Sequence, residues 1–210
     1  MPILHKAGVP NLFPLAPASA FVEPFHRLNF AYFTPNNTIV RPGIEYFAAK
    51  GKKKFCVLYQ DDAYGEEVIE GTTKQLAKHN LKIVDQIAYK RGATDFSAQI
   101  AKLKQSDCDM LIAATVPPTL AAAMAEIRRR DWNIDVMAGG PAYDANVATL
   151  GKEAVEGVYT VGFYPIPDPE TGTPEVKAWI AKYQAKYGKV PPVYASYATG
   201  IMEIVVEGLR

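Results

Sequence analysis

Long apolar runs are missing from this chain: no stretch approaches the roughly 18 consecutive apolar residues that a membrane-spanning helix needs. An excess of charge of one sign is missing too. The 23 Lys and Arg residues face 22 Asp and Glu, and the net charge of +1 carries no electrostatic footprint for nucleic acid or an anionic membrane. The longest basic runs, Lys52–Lys54 and Arg128–Arg130, read as a solvated lead-in to a strand and as the last turn of a helix, where cations suit the negative dipole end. Histidine is limited to His5, His26 and His79, and cysteine to Cys56 and Cys108, in no metal-ligand spacing, so neither a metal nor a cofactor is expected. There is no G-x-x-x-x-G-K-[ST] phosphate loop, no G-x-G-x-x-G after a strand and no G-x-S-x-G elbow. Without a catalytic constellation, the expectation is a protein that is not an enzyme.

What is present is an ordered globular composition, 49% hydrophobic and 21% charged over 210 residues, enough for one large domain or two small ones. The first eight residues lack the basic start and apolar core of a signal peptide. They read as the last turns of a helix ended by Gly8 and Pro10, which implies that preceding sequence is missing.

Residues 54–115 organise the rest. Phe55 to Tyr59 is too short and too rich in strand-preferring residues for a helix, and reads as a buried strand. Asp61 and Asp62 follow as a solvated acidic loop before a helix N-terminus, in preference to an acid/base pair. Val68, Ile69, Leu76 and Ala77 recur at helical spacing up to a stop at Asn80. A strand over 83–88 comes next, then a turn at Gly92 with Asp95 as the cap of a helix bearing Phe96, Ile100 and Leu103, then a strand over 110–114. A helix bearing Leu120, Met124 and Ile127 is expected next, then a strand over 136–139, a short helix over 143–150 and a strand over 158–163. Such alternation specifies a parallel α/β sheet covered by helices on both faces.

Before this core, residues 11–14 and 30–33 read as brief strands, and Asn36–Thr38 as a cap for a helix whose Val40, Ile44 and Phe47 share a face. That tripeptide also matches a glycosylation sequon, but the cap explains it better. After the core, the Pro-rich segment 165–174 is the linker candidate, followed by two helices carrying Trp179, Ile180 and Tyr183, then Tyr197, Ile201, Ile204 and Val205. Cys56 lies in the first of the core strands and Cys108 just before the third, and those two strands are usually neighbours in a doubly wound sheet. A bridge is conceivable, yet two buried free thiols are the commoner state and are the expectation.

Open α/β sheets bind ligands at the carboxyl ends of their strands. Those ends carry residues 61–64, 115–117, 139–143 and 163–164, with tyrosines suited to a small organic molecule or equally to packing.

The segments Val57–Gly65, Gly92–Ser97, Ala138–Tyr143 and Ala154–Val158 together resemble the branched-chain amino-acid-binding protein family, type I periplasmic solute-binding proteins of ABC importers. The resemblance implies two doubly wound parallel-sheet lobes that close over a solute: residues 36–163 as a complete second lobe, residues 1–35 as part of the first, and 164–210 as a crossover plus a further part of the first. It implies an extracytoplasmic protein, monomeric when full length, that takes a small amino acid, organic acid, aromatic acid or amide and hands it to a membrane permease, with no nucleic acid and no membrane insertion. A sensory or regulatory ligand-binding domain on the same scaffold is the alternative. By family position, Tyr64 packs on the ligand, Ala16, Pro17 and Ser19 lie where a first-lobe loop holds a carboxylate, and Val116 stands where an aromatic is common. Tyr143 offers a further ring. Gly140 falls where amino-acid binders place an acidic partner for the ammonium, so a solute without a free α-ammonium is expected, with Asp144 as the nearby replacement.

Overall fold

A computed structural model describes Pro2–Arg210. The chain divides into two compact units, one up to Phe163 and the other Tyr164–Arg210.

The first unit opens with α1 (Pro2–Lys6), ended by Gly8 at φ +69°, as the sequence predicts for this stretch; Met1 lies outside the described residues. Two-residue strands β1 (Asn11–Leu12) and β2 (Asn29–Phe30) pair in parallel, shorter than the expected 11–14 and 30–33. Then come α2 (Asn36–Ile39), α3 (Arg41–Ala49), β3 (Phe55–Gln60), α4 (Ala63–Ala77), β4 (Ile83–Tyr89), α5 (Ser97–Gln105), β5 (Met110–Ala114), α6 (Pro117–Arg129), β6 (Asp135–Ala138), α7 (Asn146–Gly151) and β7 (Tyr159–Thr160). The last is two residues long where a strand to Phe163 was expected.

Five of these strands form one parallel sheet in the order β4-β3-β5-β6-β7. Side chains alternate across it with period two. Cys56, Leu58, Leu111, Ala113, Val136 and Ala138 point to the face covered by Phe96, Ile100 and Leu103 and by Leu120, Met124 and Ile127 of α6. Phe55, Val57, Met110, Ile112, Ala114 and Met137 point to the other, under Val40, Ile44 and Phe47 and under Val68 and Leu76 of α4. Strands buried on both faces read as continuous apolar runs, which is why the alternation is invisible in the sequence.

Three local expectations need correction. Cys56 and Cys108 are not free thiols: they form a disulfide with Cα atoms 5.9 Å apart. The cause is the sheet order, since β3 and β5 are direct neighbours and Phe55 sits opposite Met110, two residues after Cys108. Asn36 is not a helix cap; it is the first residue of α2, and its side chain turns to Pro17 and Glu67. Asp95 does not occupy the cap position of α5, which Phe96 holds, but its carboxylate still accepts from Ser97 N at 2.8 Å.

The second unit holds α8 (Pro174–Tyr187) and α9 (Val193–Gly208). Thr173 caps α8 by accepting from Val176 N, and Gly188 ends it in the left-handed region at φ +69°. Tyr164 packs edge-on against Tyr197 and hydrogen-bonds Ser196. Among the apolar side chains of these helices, Tyr187, Met202, Ile204 and Val206 remain about half exposed. A concave face of 740 Å³ runs between Trp179, Tyr183, Tyr187, Met202 and Val206. Apolar surface of this kind is expected to bind an environment-sensitive dye. The 210-residue chain should raise the fluorescence of such a dye, and the double variant Met202→Gln, Val206→Gln should lower that signal; equal signals from both would show that this face is covered in solution.

Candidate functional site

The strand order reverses between β3 and β5: the chain leaves β3 to one side for β4 and then crosses back to the other side for β5. A crevice at the carboxyl ends of those two strands is the position at which this architecture accepts a ligand. A cavity of 370 Å³ lies there.

Each wall follows from its local structure. β3 ends in Gln60, and Asp62 caps α4, its carboxylate accepting from Tyr64 N at 3.0 Å and Gly65 N at 3.3 Å. That cap fixes Tyr64 in the first turn of the helix. The ring lies across the strand ends: its hydroxyl reaches the Thr115 carbonyl at 3.5 Å and rests over Gly139, where a Cβ would stand 2.2 Å from the phenolic oxygen. Gly139 is thus the seat of Tyr64. On the β5 side Val116 precedes α6, with its N–H donating to Thr119 Oγ1 at 3.1 Å. After β6, Pro141 closes the wall.

The remaining wall comes from the loop before α2. Pro17 O accepts from Asn36 N at 2.8 Å and from Asn36 Nδ2 at 2.7 Å. Ser19 donates its N–H and its hydroxyl to one oxygen of Glu67, each at 2.7 Å, and the other oxygen of Glu67 accepts from Asn36 Nδ2 at 3.2 Å. The loop is therefore tied to α4 through one carboxylate, and Leu15 to Ala18 face the cavity.

Four of the residues the sequence singled out, Ala16, Pro17, Tyr64 and Val116, line this one cavity. Ser19 stands behind its wall on Glu67. Gly140 adjoins Pro141, with open space where a side chain would be apart from Ile39 Cδ1 at 3.9 Å. Tyr143 packs against Gly162, where a Cβ would meet its ring at 2.4 Å. Asp144 accepts from Asn146 N at 2.7 Å at the start of α7. Sequence reasoning missed Asn36, Gln60, Glu67 and Arg91 in the lining. Gln60 left a readable signal, a polar residue closing the apolar run Phe55–Tyr59 at the carboxyl end of a strand. Glu67 left none, because its role depends on a loop 48 residues away.

Charge at the site is mixed. Asp62 and Glu67 line the cavity, and Arg91 reaches Asp62 from outside at 3.4 Å with its side chain 80% exposed. Asn36 Oδ1 and Gln60 Oε1 belong to lining residues but are themselves closed off from solvent, and neither receives a hydrogen bond among the described residues. Among the described residues, no group of three or more His, Cys, Asp or Glu side chains is placed to hold a metal ion, and no helix is long and apolar enough to cross a membrane.

Residues 1–209 match the family model described as "Periplasmic binding protein". Among curated proteins, "Amino acid binding protein" of Pseudomonas aeruginosa PAO1 is 28% identical over 149 residues, 70% of this chain and 38% of that protein. "Leu/Ile/Val-binding protein homolog 7" of Brucella abortus is 21% identical over 141 residues, 66% of this chain and 35% of that one. Among solved structures, an extracellular ligand-binding receptor from Rhodopseudomonas palustris HaA2 superposes with a TM-score of 0.86 at 20% identity, covering 97% of this chain and 59% of that one. An ABC transporter solute-binding protein from R. palustris in complex with benzoate gives 0.80 at 22% identity, covering 92% of this chain and 53% of that one. The chain thus spans between about a third and three fifths of the length of these relatives.

Proposed function

Because the chain belongs to the periplasmic binding protein family, we propose that it works as part of an extracytoplasmic solute-binding component of an ABC importer, capturing a small solute without turning it over. The observation that carries this reading is the cavity at the switch point, walled on one side by the loop 15–18 and on the other by Tyr64 and Val116. A solute held between two separate chain segments biases an opening and closing equilibrium toward the closed state, which is how a binding protein signals occupancy. In this reading residues 1–35 and 164–210 belong to one lobe and 36–163 to the other, and a membrane permease receives the solute. The Cys56–Cys108 bridge supports the compartment, since structural disulfides persist in oxidising surroundings and are rare in the cytosol.

Tyr64 provides the test. Its ring lies in the strand-end wall of the cavity, so Tyr64→Ala in the product of the complete reading frame is expected to weaken solute binding by about 1 to 3 kcal/mol. Calorimetry against the solute found by a thermal-shift screen of amino acids, organic acids, aromatic acids and amides measures it. Unchanged affinity would remove Tyr64 from the site, and a screen with no stabilising solute would remove the function.

A further inference from the structure

We propose that Gly139 is a specificity-determining residue of this crevice: the side chain it lacks leaves the space in which the Tyr64 hydroxyl lies, so the ring stays down on the strand ends and the crevice keeps the depth that a bulkier solute needs. The proposal rests on the solute-binding reading of the same cavity and adds what sets its size limit.

The backbone does not require glycine at this position. Gly139 has φ −70° and ψ 174°, extended geometry open to any residue. What excludes a side chain is Tyr64: a Cβ at 139 would stand 2.2 Å from the phenolic oxygen and 3.4 Å from the ring carbon that bears it. Only the first of these is shorter than ordinary van der Waals contact, so the conflict belongs to the hydroxyl and not to the ring.

Neither partner can step back. The Gly139 N–H donates to Ala113 O at 3.0 Å and its carbonyl accepts from Ala142 N at 3.0 Å, which fixes the end of β6 from both sides. The start of α4 is fixed as well. Asp62 holds Tyr64 N and Gly65 N, and Gly65 lies so close to the end of β3 that a Cβ there would stand 2.0 Å from Gln60 O. Tyr64 can therefore answer a methyl group at 139 only by turning its side chain, moving the hydroxyl by roughly 1 Å to reach ordinary contact. On its inner side Tyr64 packs against the buried cluster that includes Val57, Ala114 and Met137, and an interior packed to this density does not yield. The open side is the cavity, whose wall Tyr64 shares with Val116 and Pro141. At 370 Å³ this cavity stands near the lower end of the range for small-molecule pockets, so an intruding ring removes a sizeable share of it.

The test is a double-mutant cycle in the product of the complete reading frame: wild type, Gly139→Ala, Tyr64→Phe and the pair together. Thermal shift and calorimetry use two series of rising size, acetate, butyrate and phenylacetate in one, alanine, leucine and phenylalanine in the other. With Tyr64 in place, Gly139→Ala is expected to weaken the largest bound member of a series by about tenfold, the scale of coupling between residues in contact, and the smallest by much less. In the Tyr64→Phe background no hydroxyl is left to displace, and the same substitution should change affinity by less than about twofold, as independent sites do. The melting temperature of each solute-free variant is read alongside. If Gly139→Ala fails to fold, the pair together should restore folding, since the conflict lies in one oxygen atom. Equal losses in both backgrounds, equal losses across a series, or a pair that also fails to fold would overturn the role of Gly139 while leaving a solute-binding cavity in place. No binding of any probe to wild type would overturn the solute-binding reading and this inference with it.

Discussion

Opening the Cys56–Cys108 bridge is expected to lower the stability of this chain by about 4 kcal/mol, the loop-closure entropy of a cross-link spanning 52 residues. The bridge spans the segment from β3 through α4, β4 and α5 to the threshold of β5. Those elements supply both sides of the switch point, so the unfolded chain loses most freedom where the sheet must be assembled. Cys56 is fully buried on the face packed by α5 and α6. Urea unfolding of the oxidised chain, of the chain unfolded with reductant and of the double variant Cys56→Ala, Cys108→Ala measures the effect. Reductant and double substitution should bring the midpoint down together, the variant slightly further because it also removes buried sulfur. A midpoint indifferent to reductant, with both thiols alkylated before unfolding, would show that the cysteines do not pair in solution.

The disulfide also marks where sequence reading ends. The five sheet strands near 55, 83, 110, 136 and 158 were legible because an apolar run of strand length, set between stretches of helical periodicity, is too short for a helix and too apolar for a loop. The place to look for a crevice was legible as well, since it follows from the direction of the strands and not from any side chain, and a cavity lies there. Ala16, Pro17, Tyr64 and Val116 come together as lining residues of one cavity. Pair states were not legible: the sequence places Cys56 and Cys108 at strands expected to be neighbours, but whether the two thiols come within bridging distance depends on the register of β3 against β5, which local periodicity does not carry. The same holds for Glu67. In sequence it is the second of two consecutive acidic residues near a helix start, where the dipole alone favours such side chains. Only the fold brings Ser19 and Asn36 to it. Asn36 misled for a related reason, because asparagine at a helix start caps by default, and here a long-range partner wins over the local bond.

Gly71→Ala is expected to destabilise the chain by about 2 to 3 kcal/mol, the cost of forcing atoms into a packed site, although alanine is the better helix former by roughly 1 kcal/mol. Gly71 lies in the middle of α4 and is buried. A Cβ added there would sit 2.3 Å from the Asn37 carbonyl oxygen and 2.7 Å from Val40 Cγ1. That carbonyl cannot move aside freely, because it accepts from Arg41 Nε at 2.7 Å while the Asn37 amide donates to Glu70 at 3.0 Å. Glycine at this position lets α2 lie directly on α4, with Asn36 on Glu67 and Asn37 on Glu70. Pushing α2 away therefore loosens the loop 15–19 as well, and solute affinity should fall along with stability. Gly208, at the end of α9 with nothing within 4 Å, is the control. Gly208→Ala should be neutral or gain a few tenths of a kcal/mol from helix propensity. Opposite signs from the same chemical change would establish that α2 packs on α4 through Gly71; equal small gains at both positions would show that the two helices are not in contact in solution and that the loop is held by other means.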